Sequence, residues 1–182
     1  MRRAFAPRSL VVGATLLCAA TLALAERPLE VTRTSRPVRL LRSWNETIKA
    51  SGGREYVRRV ELLFDYEKAV ARENYYTPEG RLYGSREIKQ NQPQPSAEEI
   101  AEAKELIHAD AKLARIIERR STAFNGGFLL EEARGMPCGP GSRCLQIQIL
   151  TPDNLGLLRW TVVDLVQRRI AYPVYVPRGV NR

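Results

Sequence analysis

SAEEIAEAKELIHADAKLARIIERR, residues 96–120, is the one long stretch of helical period in the chain, and its ends carry helix signals. Ser96 followed by Glu99 is a capping box, and Glu98, Glu99 and Glu102 put negative charge at the positive end of the helix dipole. Arg115, Arg119 and Arg120 suit the opposite pole. Ile100, Ala103, Ile107, Ala111, Ala114 and Ile117 make one apolar stripe, widened by Leu106 and Leu113, so one face is expected to be buried. An unbroken helix of this span would be about 36 Å long, more than most single domains need. A break near Asp110, which would cap a second short helix, is the alternative.

Either side of this helix the period is two. Upstream, Tyr56, Arg58, Val60, Leu62, Phe64 and Tyr66 share one face and Val57, Arg59, Glu61 and Leu63 the other, which predicts a strand. A second run, Ala69 to Tyr76, ends at Thr77-Pro78-Glu79-Gly80, whose Pro and Gly suit a type I turn, and Arg81-Leu82-Tyr83 then returns beside it. The density of Phe64, Tyr66, Tyr75, Tyr76 and Tyr83 fits cross-strand packing in a sheet better than a ligand groove. The Pro-rich break QNQPQPS, residues 90–96, separates these strands from the helix. Downstream, strands are expected over Phe128–Glu132, Cys144–Leu150, Leu158–Val166 and Ile170–Val176. The third is apolar on both faces and therefore central, and Pro173 and Pro177 confine the last to an edge. Strands, a helix, then strands again give an α+β class: one main helix laid across an antiparallel sheet.

The chain begins MRRAFAPRSLVVGATLLCAATLALA. Arg2, Arg3 and Arg8 form a basic n-region, Leu10 to Ala20 a short apolar run, and Ala23 and Ala25 the small-x-small pattern of a cleaved export signal. The 16 residues from Leu10 to Ala25 fall short of the roughly 20 needed to span a membrane as a helix, so no span is expected after cleavage. Arg2-Arg3-Ala4-Phe5 also matches the core of a twin-arginine signal, without the residues that usually flank it. The expected organisation is a signal over 1–25, a basic N-terminal arm over 26–53 and a single α+β domain over 54–182, in a periplasmic or secreted setting. Loss of 25 from 182 residues leaves 157, and loss of three of the 29 basic residues leaves 26 against 20 acidic, a net charge of +6. That charge is scattered, with local pairs at Arg58-Arg59, Arg119-Arg120 and Arg168-Arg169. It favours anionic envelope surfaces or acidic proteins as partners, and no nucleic-acid reader motif accompanies it.

Of three cysteines, Cys18 leaves with the signal, and Cys138 and Cys144 remain in CGPGSRC. Five intervening residues are too many for a redox-active pair and the surroundings lack further zinc ligands, so a disulfide closing a Pro/Gly loop is expected. His108 is the single histidine, placed mid-helix beside the apolar stripe, where a partly exposed surface imidazole is the ordinary case. No phosphate-cradling glycine loop, HExxH or EF-hand pattern is present. Asp164 interrupts an apolar strand, and a buried carboxylate needs partners. Either it is held structurally at the turn that follows or it belongs to a two-carboxylate site with Glu131 or Glu132. No metal, cofactor or catalytic set is expected.

The run P-x-P-S-A-E-E-I-A-E-A from Pro93, then Asp110, then an antiparallel block with V-V-D-L at Val162–Leu165 resembles the small N-terminal domains of copper amine oxidases. Those domains place a helix on an antiparallel sheet in a cystatin-like arrangement shared with PepSY modules. The resemblance covers about residues 93–176 and implies a non-catalytic module. The oxidase domain of that family carries a tyrosine-derived quinone and three histidine copper ligands. Here there is one histidine, and Asn74-Tyr75-Tyr76 departs from the Asn-Tyr-Asp/Glu cofactor motif, so the oxidase activity is not implied. Two function classes follow: an exported, non-enzymatic binding or accessory module engaging a protein or an anionic envelope component, and a small exported hydrolase using Asp164 with Glu131 or Glu132.

Overall fold

Alternation of period two builds two antiparallel meanders rather than one sheet. The computed structural model describes residues 37–89, 92–118 and 122–177. Strands β1 (Val38–Lys49), β2 (Glu55–Asp65), β3 (Val70–Tyr76) and β4 (Leu82–Ile88) form the first sheet in that order. Strands β5 (Ala123–Leu130), β6 (Cys144–Leu150), β7 (Leu157–Asp164) and β8 (Arg169–Tyr172) form the second, also in chain order. Helices α1 (Ala97–Ala109) and α2 (Ala111–Glu118) lie between them in sequence. The class is therefore α+β with more residues in strands than in helices, and the expectation of a single sheet is corrected to two.

The expected arm over 26–53 is corrected over 38–49, where β1 pairs with β2 along its whole length. The boundary placed at Gly53 falls in the turn of that hairpin. Trp44 sits in β1 opposite Val60, with the Arg42 guanidinium 5.6 Å from its ring. The signal residues, Ala23 and Ala25 included, lie outside the described residues, as do Arg119 and Arg120.

The long helical stretch is broken at Asp110, the alternative reading of that segment. The Asp110 amide still donates to Ile107 O, while its Oδ1 accepts from the amides of Lys112 at 2.9 Å and Leu113 at 3.0 Å. Ending one helix and capping the next, it satisfies amides a bare break would leave open. The capping box at Ser96 and Glu99 is formed in both directions. Ala103, Leu106, Ile107 and Leu113 turn inward onto Leu145, Ile147, Ile149 and Val163 of the second sheet. Phe64, Tyr66 and Ala71 bring the base of the first sheet onto the same core. At β5, Gly126 (φ +122) and Gly127 (φ +97) form a bulge, and a Cβ on Gly127 would stand 2.7 Å from Ile100 Cδ1. The glycine is what lets α1 approach that strand.

One hairpin device is used twice. Asp65 Oδ1 accepts from the amides of Glu67 and Lys68, each at 3.1 Å, and Ala69 takes φ +51 before β3. Asp164 Oδ1 accepts from Val166 at 3.0 Å and Gln167 at 3.4 Å, and Arg168 takes φ +50 before β8. In each case an aspartate at the end of a buried strand organises the turn through its own backbone. A second pair of turns opens with Thr-Pro-acid: Thr77 Oγ1 accepts from Arg81 N at 3.3 Å, and Thr151 Oγ1 from Gly156 N at 2.8 Å.

Candidate functional site

Where the two sheets and α1 meet, the polar groups of three elements converge on Arg143, whose side chain is completely buried. A buried guanidinium must have its donors satisfied. Arg143 Nε and Nη2 grip both oxygens of Glu99, the latter at 2.7 Å, a bidentate pair between the segment entering β6 and the first turn of α1. Nη1 donates to Gln92 Oε1 at 3.3 Å and Pro93 O at 3.2 Å, and the guanidinium lies 4.5 Å from the Phe64 ring centroid. The phenol of Tyr66 donates to Glu99 Oε1, and Glu99 Oε2 also accepts from Ser96 N at 2.9 Å. Beside it, Glu102 Oε2 pairs with Arg39 at 2.6 Å and its Oε1 with Arg168 at 3.4 Å. This network ties β1 and β2, the linker before α1, α1 itself and the second sheet.

Burial pushes the Tyr66 phenol well above the usual tyrosine range, and the negative charge of Glu99 and the hydrogen bond to it push the same way, against the neighbouring Arg39 and Arg143 charges. The folded state therefore favours the protonated phenol: the stabilisation is complete below the unfolded value near ~10 and is lost as pH rises through the raised folded value. Replacing Tyr66 by Phe is expected to leave the tyrosinate absorbance amplitude unchanged up to the onset of alkaline unfolding. Loss of one-seventh of that amplitude, the share of one of the seven tyrosines, would show that Tyr66 ionises like an exposed phenol.

Above the network lies a cleft of about 390 Å³. Phe64, Val70, Ala71 and Ile88 of the first sheet make its lining apolar on their part, and Lys89, Glu131, Glu132 and the disulfide loop from Cys138 to Gly141 complete it. Gln92 also lines it. Its amide donates to Glu131 Oε1 at 2.8 Å, its Nε2 to Ser142 O at 2.9 Å, and its Oε1 receives Arg143. Glu132 Oε2 accepts from Cys138 N at 3.2 Å and from the Tyr172 hydroxyl at 2.7 Å. Cys138 and Cys144 are joined with a Cα–Cα separation of 5.7 Å. The expected disulfide thus closes a loop that lines the cleft.

The sequence candidates fall in different places. Glu131 and Glu132 line the cleft; Asp164 does not. Asp164 is completely buried at the end of β7, where Oδ1 holds the β7–β8 turn and accepts a further, long bond of 3.3 Å from Arg143 N; Oδ2 has no hydrogen-bond partner among the described residues. The two-carboxylate pairing of Asp164 with Glu131 or Glu132 is therefore not assembled in this cleft. His108 is exposed, its ring 5.3 Å from that of Phe124, and among the described residues no group of three or more His, Cys, Asp and Glu side chains is disposed to hold a metal. No described helix is long and apolar enough to cross a membrane. Arg143 and Gln92, central to this region, carry no pattern that distinguishes them in the sequence. Glu99 was legible only as half of a capping box. The chain matches no family model and no curated protein.

Proposed function

We propose that the chain is an exported, non-enzymatic binding module that engages a protein of the cell envelope through the cleft between its two sheets. The observation that carries this reading is the use of the cleft's carboxylates. One oxygen of Glu131 and one of Glu132 are committed to hydrogen bonds that shape the walls, and Asp164, the carboxylate the two-carboxylate alternative pairs with either of them, is spent on a turn. What is left is a concave, partly apolar surface with a few fixed polar groups, the ordinary makeup of a recognition site. Export rests on the leader ending at Ala23 and Ala25, and the scattered positive charge suits a protein working near anionic envelope surfaces. The half formed by α1, α2 and the second sheet, a helical segment followed by an antiparallel meander, we read as cystatin-like, in keeping with the resemblance to non-catalytic amine oxidase and PepSY modules.

The test is site-specific photo-crosslinking in the native envelope. A benzophenone side chain in place of Pro140, on the exposed rim of the cleft, is expected to give a discrete protein adduct with the cleaved chain. The same group in place of Leu155, 88% exposed on the β6–β7 turn, is expected to give none. Absence of the adduct at 140, or hydrolytic turnover abolished by Asp164→Asn, would overturn the reading.

A further inference from the structure

The cleft has an electrostatic sign opposite to that of the chain. The protein carries 29 basic against 20 acidic residues, yet the lining that holds Phe64, Val70, Ala71 and Ile88 also presents Glu131 and Glu132. In each of these carboxylates one oxygen is occupied: Glu131 Oε1 by Gln92 N and Glu132 Oε2 by Cys138 N and the Tyr172 hydroxyl. Among the described residues no hydrogen bond reaches Glu131 Oε2 or Glu132 Oε1. Arg143, hydrogen-bonded to Gln92, is committed to Glu99, whereas Lys89, an exposed residue of the lining, makes no ion pair among the described residues.

We propose, on the reading that this cleft binds a protein, that it receives a lysine or arginine side chain of the partner, its methylene stem on the apolar residues and its charged head on the free oxygens of Glu131 and Glu132. Such side chains bury their stems on apolar surface while keeping the head on polar groups, and charge-assisted hydrogen bonds to a carboxylate are roughly twice as strong as neutral ones. The lining of one cleft supplies both features. An anionic ligand would meet two carboxylates there and a single lysine. Lys89 acts as a like-charged gatepost: its ammonium competes with the incoming one for the same carboxylates.

The experiment follows amide shifts of Gln92 and Cys138 by NMR as the oxidised mature protein is titrated with acetyl-Leu-Lys-Leu-amide. Three comparisons decide it. Acetylating the probe's lysine is expected to weaken binding about tenfold, the loss of one charge-assisted bond. Glu131→Gln should weaken the charged probe and leave the acetylated one unchanged. Lys89→Gln, an exposed surface change that leaves the fold alone, should tighten it. Equal binding of charged and acetylated probes, or preference for a probe with Glu in place of Lys, would overturn the assignment of a cation. If the Pro140 adduct is present in that case, the binding reading stands and only its ligand class falls; if adduct and peptide shifts are both absent, both fall.

Discussion

Arg143→Ala is expected to cost about 3–5 kcal/mol, the range for removing one partner of a buried ion pair. Both side chains of the Arg143–Glu99 pair are inaccessible to solvent, so the surviving carboxylate keeps its burial and loses two of its donors. Tyr66 and the Ser96 amide would still donate to Glu99, which limits the loss without replacing the charge. Against a typical stability of about 5–15 kcal/mol this is a large fraction. Glu99→Ala strands the guanidinium instead and also removes half of the capping box, which adds about 1 kcal/mol. The double variant is expected to lose far less than the two single losses added together, because neither ion is then left alone. Urea unfolding of the four proteins reads the coupling. Additive losses would show that the pair contributes nothing beyond its separate contacts. Should Arg143→Ala fail to fold, Arg143→Lys keeps the charge, lacks the planar fork that grips both oxygens, and should give an intermediate loss.

The parts of the fold visible in the sequence are those governed by near neighbours. Ser96 and Glu99 mark the helix start because capping acts over three residues, and Asp110 marks the break for the same reason. Strand β6 is delimited because Leu145, Ile147 and Ile149 alternate cleanly with Gln146 and Gln148. Strand β1 was hidden by its bulge: the register shifts between Leu40 and Arg42, so the half-buried face passes from Arg39 and Leu41 before the shift to Trp44, Glu46 and Ile48 after it, and no single alternation runs through the strand. Alternation also says which residues share a face, not which strands pair, so eight strands in two meanders read the same as eight in one. The site divides in the same way. Glu131 and Glu132 were singled out and do line the cleft, but Asp164 was grouped with them on chemical type alone, and its place at the β7–β8 turn is a tertiary fact. Nothing around Arg143 in the sequence announces a buried guanidinium. Its partner lies 44 residues upstream, and arginine between a serine and a cysteine reads as a solvated loop residue.

Ile107→Asp is expected to be at least as damaging as any change in the Arg143 network, and Glu105→Lys close to neutral, though the two positions are two residues apart on one helix. Ile107 is completely buried, packed within the core that joins α1 to the second sheet, whereas Glu105 is exposed. Aspartate there would lose the aliphatic contacts and place a carboxylate among apolar neighbours with no donor designed for it, at a cost of several kcal/mol. The group escapes part of this by taking up a proton, so the deficit should shrink as pH falls from the raised folded value of this aspartate to its ordinary unfolded value. Glu105→Lys changes only an exposed charge, within about 0.5 kcal/mol. Thermal melts of the two variants separate the effects, since each kcal/mol lowers Tm by about 2–4 °C in a chain of 150–250 residues. Equal melting temperatures would mean that α1 presents a different face to the sheet, and the ion pair that Glu99 makes from the neighbouring turn would then lose its geometric basis.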